Sequence, residues 1–177
     1  MRQLILGGAR SGKSRIAQDR VEQLGTPVVY IATATVRPDD QEMCQRIELH
    51  RNNRPKAWQV LEVPVDLPQA LARLSGEGKT VLVDCLTLWL TNLLLQNTET
   101  MQQGMSELVS VVDDFEGNLI LVSNEVGWGI VPMGELSRTF QDNTGRLHQD
   151  LAVLVERVSL CVAGIPMDLK NGERNES

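Results

Sequence analysis

The chain has 177 residues, enough for one domain whose core needs neither disulfides nor a structural metal. A formal charge of −6 and an aromatic content of 3% argue against nucleic acid as a partner, because bulk binding needs a basic excess and stacking platforms need rings. Three scattered cysteines (Cys44, Cys85, Cys161) without C-x-x-C spacing, two histidines (His50, His148), no signal peptide and no apolar run near the roughly 18 residues of a membrane span together predict a cytoplasmic protein with reduced thiols and no zinc site. Along the chain, Gln3–Leu6 reads as a first strand. Lys13–Leu24 reads as a helix with Ile16, Ala17, Val21 and Leu24 on one face, stopped by Gly25-Thr26-Pro27. Val28–Ala32 is a β-branched run and a buried strand. Asp39 and Asp40 suit the N-cap of a helix running to about Asn53, before Arg54-Pro55.

Trp58–Val63 alternates like a short strand, and Leu67–Leu74 is helical up to Gly76 and Gly78. Thr80–Val83 is another buried strand, ending at Asp84. Helices follow over Leu86–Gln96 and Thr100–Phe115. Asn118–Val122 is a strand closed by Ser123-Asn124-Glu125, and a loop with Gly and Pro leads to Met133. Leu136–Val155 is a long helix and Val158–Ala163 a last strand. Residues 1–169 form a single expected domain, and the polar residues 170–177 a disordered tail. Strands this apolar are covered on both faces, so the pattern predicts an α/β fold with a mainly parallel sheet flanked by helices.

One segment carries explicit chemistry. Gly7-Gly8-Ala9-Arg10-Ser11-Gly12-Lys13-Ser14 fits G-x-x-x-x-G-K-[ST] between a strand and a helix. Gly7 and Gly12 let the backbone turn so that successive N–H groups face phosphate oxygens. Lys13 brings charge to the β and γ phosphates, the Ser14 hydroxyl suits Mg²⁺, and the helix presents its positive end to the same anion. A glycine-rich turn alone would explain the glycines but not Lys-Ser after them. The fold expectation narrows to a P-loop NTPase of RecA-like type.

Asp84, after three apolar residues, is a candidate Mg²⁺ ligand; the bland alternative is a solvated strand end. Ligands of parallel sheets sit beyond the carboxyl ends of the strands, where the loop, Thr33-Ala34-Thr35, Asp84 and Asn124-Glu125 are expected to converge. Arg46, His50 and Arg54 share one helix face at i, i+4 and i+8, with Arg51 adjacent. A neutral histidine among arginines suits either holding a phosphate or attacking one. A solvated basic face at a helix end explains the same residues.

GGARSGKS at Gly7–Ser14, YIATA at Tyr30–Ala34, RIELHRNNRP at Arg46–Pro55, NEVGWGIVP at Asn124–Pro132 and TGRLHQDLA at Thr144–Ala152 span nearly the whole chain. Together they resemble the bifunctional adenosylcobinamide kinase and adenosylcobinamide-phosphate guanylyltransferase family of cobalamin assembly. The resemblance implies phosphorylation of the aminopropanol hydroxyl of adenosylcobinamide by ATP or GTP. It further implies transfer of GMP from GTP, through a histidine, to adenosylcobinamide phosphate. The carrier position matches His50. Nucleotide contacts would fall on Gly7, Gly8, Ala9, Arg10, Ser11, Gly12, Lys13, Ser14, Thr33, Ala34, Thr35, Arg51, Asn52, Asn53, Arg54, Glu62 and Asp84, with Mg²⁺ on Ser14 and Asp84. Many members carry Glu where this chain has Asp84. The association implied is a homotrimer. The rival readings are a simple small-molecule kinase, a RecA-type switch or ATPase, and a nucleotide sensor without transfer chemistry.

Overall fold

A computed structural model describes residues 1–35, 48 and 55–172. Its elements are β1 (Arg2–Gly7), α1 (Lys13–Gln23), β2 (Val28–Ala32), β3 (Gln59–Glu62), α2 (Leu67–Leu74) and β4 (Thr80–Asp84). Then come α3 (Leu86–Leu94), α4 (Thr98–Asp113), β5 (Asn118–Asn124), α5 (Glu135–Leu154), β6 (Arg157–Val162) and β7 (Ile165–Asn171). The seven strands form one sheet in the order β3-β2-β4-β5-β1-β6-β7. Every pairing is parallel except β6 with β7.

Strand residues alternate between two cores, as the two-residue side-chain period requires. Leu4, Val29, Ile31, Val81, Val83, Leu119 and Leu121 face the larger cluster, which α2, α3, α4 and α5 cover. Ile5, Val28, Tyr30, Leu82, Ile120 and Val122 face the smaller one, against Ile16, Ala17 and Val21 of α1. Trp89 is fully buried, and its indole N–H donates to the Val65 carbonyl at 2.7 Å. A side chain on Gly104 of α4 would run into Leu93 of α3, with 2.6 Å to its Cδ1, so glycine lets these two helices approach.

Most boundaries lie within two residues of those expected from sequence. Helix α4 starts at Thr98 because Asn97 caps it, its side chain accepting from the Thr100 N–H at 2.7 Å. Helix α3 stops at Leu94, short of the expected Gln96. Strand β5 runs past Val122 because its ladder with β1 continues to the Gly7↔Asn124 pair. The helix expected from Asp39 to Asn53 lies outside the described residues, save Glu48, which is helical.

The C-terminal end requires a correction. The last strand is not Val158–Ala163: β6 ends at Val162, and Ala163 and Gly164, with φ of 51° and 81°, turn the chain into the antiparallel β7. The expected boundary at 169/170 cuts through that strand. Lys170 belongs to the fold, its ammonium donating to the carbonyls of Ala152 and Val153 at 3.0 Å each. The signal was present as the alternation Ile165, Met167, Leu169, hidden among polar neighbours. Residues 173–177 of the expected tail lie outside the described residues.

Candidate active site

The chain leaves β1 at Gly7 and enters α1 at Lys13, so Gly7–Ser14 crosses the carboxyl edge of the sheet. Gly12 is the residue before the helix, with φ of 92°, a left-handed conformation that favours glycine. A Cβ on Gly7 would lie 2.5 Å from Ser11 Oγ and 2.7 Å from the Cys161 carbonyl oxygen. The loop closes on itself through the Ser11 N–H to the Gly8 carbonyl at 3.3 Å. Two neighbours hold it from outside: the Gly164 N–H donates to the Ser11 carbonyl at 2.8 Å, and the Glu125 N–H to the Gly7 carbonyl at 3.0 Å.

Lys13 is buried, and its ammonium donates to the Gly8 carbonyl at 3.0 Å. Burial lowers its pKa, opposed by acidic neighbours that include Asp84. Ser11 Oγ is buried with no hydrogen-bond partner among the described residues. A loop with a buried cation, a polar oxygen to satisfy and a helix N-terminus behind it is a cradle for an oxyanion.

Asp84 closes β4, two strands from β1. Its Oδ2 accepts from the Tyr30 hydroxyl at 3.0 Å. Among the described residues, no group of three His, Cys, Asp or Glu stands together as a metal site. Ser14 and Asp84 nevertheless fit Mg²⁺, a hard cation that takes one or two protein oxygens and completes its shell with water and phosphate.

Thr33 is fully buried at the end of β2, and its hydroxyl is bound to the backbone of Cys85: it donates to the carbonyl at 2.7 Å and accepts from the N–H at 2.9 Å. Its own carbonyl accepts from Asn92 Nδ2 at 2.8 Å, and the Thr35 hydroxyl lies 3.2 Å from Asn92 Oδ1. The Thr33 side chain thus ties β2 to β4, with Ala34 and Thr35 beyond it. Glu62 is exposed at the end of β3, the sheet edge. Four inter-strand steps separate β3 from β1, about 19 Å at the usual spacing. Thr33, Asp84 and the loop share one edge of the sheet, and Glu62 stands at its far end. His50, Arg51, Asn52, Asn53 and Arg54 lie outside the described residues.

Sequence reading left three side chains of this edge without a role. Tyr30, from β2, reaches Asp84. On the other side, His148 of α5 is buried, with Nε2 2.7 Å from the Ser123 hydroxyl and Nδ1 3.8 Å from Glu125 Oε2. Burial lowers the His148 pKa, with the nearby Glu125 charge opposing. The ring is therefore neutral, and a carboxylate facing Nδ1 favours the tautomer with the proton there, so that Nε2 accepts from Ser123. TGRLHQDLA held His148 in plain view; its partners lie 25 and 23 residues away, where no local pattern points.

The sequence model of the family described as cobinamide kinase / cobinamide phosphate guanyltransferase matches residues 3–169. The chain is 51% identical to the bifunctional adenosylcobalamin biosynthesis protein CobP of Pseudomonas aeruginosa, over 96% of this chain and 98% of that protein. It is 36% identical to the bifunctional adenosylcobalamin biosynthesis protein CobU of Escherichia coli, over 94% and 98%. Among solved structures, a Pyrococcus horikoshii protein shares the fold with a TM-score of 0.56 at 11% identity, covering 96% of this chain and 86% of that one. The P4 protein of bacteriophage phi6, solved with ADP, does so at 0.50 and 15%, over 93% and 51%.

Proposed function

Because the chain belongs to the cobinamide kinase / cobinamide phosphate guanyltransferase family, we propose that it phosphorylates adenosylcobinamide with ATP or GTP and then, through His50, transfers GMP from GTP to that phosphate, giving adenosylcobinamide-GDP. The observation that carries this is the phosphate loop, set with Asp84 on one sheet edge of a chain that matches the family nearly end to end.

In the kinase step the acceptor hydroxyl attacks the γ phosphorus while Lys13 and the loop N–H groups hold the charge that develops. Mg²⁺, held by Ser14 and Asp84, would neutralise phosphate charge; Tyr30 fixes the Asp84 carboxylate for that task. In the second reaction His50 attacks the α phosphorus and pyrophosphate leaves. An oxygen of adenosylcobinamide phosphate then attacks the same phosphorus and frees the histidine. Nucleotide contacts run from the loop through Ala34 and Thr35 to Arg51, Asn52, Asn53 and Arg54, while Thr33, fully buried and bound to Cys85, anchors that segment and does not touch the nucleotide. At about 19 Å from β1, Glu62 meets the nucleoside end and not the γ phosphate.

We carry over the cytoplasmic location and the homotrimer as well. Supporting self-association, Ile165, Met167 and Leu169 alternate along the edge strand β7 and are each more than half exposed. Sedimentation at micromolar concentration is expected to give a trimer; an active monomer overturns that part. The central test is incubation with α-labelled GTP followed by denaturation. Label should stay on the chain, whereas a simple kinase or a RecA-type switch retains none.

A further inference from the structure

Glu125, His148 and Ser123 form a chain of polar side chains that ends beside the phosphate loop, and the reactions above leave it without a task. Ser123 lies in β5 and Glu125 just past its end, next to β1. The Glu125 N–H is bonded to Gly7, the first residue of the loop. One carboxylate oxygen, Oε1, accepts from the Gly127 N–H at 2.7 Å, and the other, Oε2, faces His148 Nδ1 at 3.8 Å, a contact longer than a hydrogen bond. The carboxylate still retains 18% of its side-chain exposure, whereas His148 and Ser123 are closed off from solvent. Ser123 is completely buried, so it anchors the ring and cannot meet a substrate.

A histidine that merely fills a core satisfies its two nitrogens with backbone or solvent. Here one nitrogen takes a hydroxyl on the loop's neighbouring strand, and the other faces an acid that is partly open to solvent. The ring, anchored by Ser123, stands against one side of the Glu125 carboxylate while the Gly127 N–H binds the other.

The chemistry offers such an acid one opening. Of the three displacements, only the kinase step begins with a hydroxyl that must lose its proton. The imidazole and the corrinoid phosphate attack through lone pairs already free. Asp84, on the next strand but one from the loop, is bound to Tyr30 and assigned to Mg²⁺. We propose that Glu125 accepts the proton of the acceptor hydroxyl in the kinase step, and that His148, anchored by Ser123, holds its carboxylate for that task. The inference rests on the kinase half of the function proposed above. The hydroxyl oxygen bonds to the γ phosphorus as the bond from that phosphorus to the β–γ bridging oxygen breaks. The nucleoside diphosphate leaves with that electron pair, and the proton passes to Glu125 and then to solvent.

Two sets of variants test it, each assayed for adenosylcobinamide phosphorylation with ATP and, separately, for retention of label from α-labelled GTP. Glu125→Gln keeps shape and removes the base. Its kinase kcat should fall by at least about 100-fold, with KM for ATP and GTP labelling within about 3-fold of wild type. Retained labelling is itself the control for folding. His148→Asn places an amide near the Nδ1 position, and His148→Gln places one near Nε2. The first should preserve most of the kinase kcat, and the second should lose about 10-fold of it. A role in packing alone gives the two histidine variants equal losses, or lowers labelling along with phosphorylation, and either result overturns the proposal. So does a Glu125→Gln enzyme with wild-type kinase activity. A wild type that labels with GTP but does not phosphorylate adenosylcobinamide overturns the kinase reading itself, which the variants then do not address.

Discussion

Gly12 and Gly164 meet so closely that a Cβ on Gly12 would lie 3.0 Å from the Gly164 Cα. One glycine ends the phosphate loop and the other makes the turn of the β6–β7 hairpin, 152 residues on. With the Gly164 N–H bonded to Ser11, the hairpin forms one wall of the loop.

Both glycines have positive φ, 92° and 81°, but their surroundings differ. A Cβ on Gly164 would find its nearest atom at 3.5 Å, the end of the Arg15 side chain, so Gly164→Ala carries backbone strain alone. That costs about 1 kcal/mol, a fall in Tm of about 2–4 °C for a chain of this size. Gly12→Ala adds a collision with backbone and should abolish measurable nucleotide binding, whereas Gly164→Ala weakens it by less than about 10-fold. Calorimetric titration of both with GTP checks the order; equal affinities would disprove the buttress.

Lys13→Ala should remove both activities and leave the fold. The side chain is buried, but its ammonium is bound to one loop carbonyl, and the charge matters chiefly to phosphate. An affinity loss of about 100-fold or more with an unchanged circular dichroism spectrum is the expected pair of results. Near-native GTP binding would make the loop a structural turn.

Much of this site is legible in the sequence, because its signals are local. The loop motif occupies eight consecutive residues, and the β4 run ends on Asp84 by simple pattern. What sequence missed depends on distant pairings. Tyr30 and Asp84 are 54 residues apart, and only the β2–β4 register, which sets Asp84 opposite Ala32, brings Tyr30 to it as a diagonal neighbour. His148 meets Ser123 because α5 packs on β1, the strand beside β5. Strand β7 was lost for another reason: its apolar residues face outward, so composition spoke for a tail while the two-residue period spoke for a strand.

The hairpin is also latched to α1 by charge. Asp168 of β7 accepts from Arg157 at 2.6 Å and from Arg20 of α1 at 3.2 Å. The Arg157 bonds, with Ser159 and Arg20 behind them and burial opposing, hold its pKa down at about 2, below an ordinary value of 3.8. A depressed carboxylate stabilises the fold above its unfolded pKa and loses that contribution as pH falls through its folded one. Asp168→Asn should therefore destabilise the protein at pH 7, and its deficit against wild type should shrink between pH 3.8 and about 2. Urea melts at stepped pH measure the difference. A deficit constant across that window would assign the effect to shape, not charge.

His50→Ala separates the two reactions most sharply. The kinase step attacks the γ phosphorus and guanylylation the α phosphorus, and they share the triphosphate cradle. Removing the imidazole deletes the nucleophile for the α phosphorus and leaves Lys13, Ser14 and the loop amides in place. Guanylyl transfer should vanish while phosphorylation of adenosylcobinamide with ATP stays within about 3-fold. On wild type the bond would be a phosphorus–nitrogen linkage, so label from α-labelled GTP should survive alkali and be lost in acid, unlike a serine ester. Retained label in the variant would move the nucleophile elsewhere. His148 is a poor substitute, because it is buried and both its nitrogens face protein groups. Equal loss of both activities at unchanged GTP affinity would instead place His50 in a centre common to the two reactions, and the dedicated carrier would be ruled out.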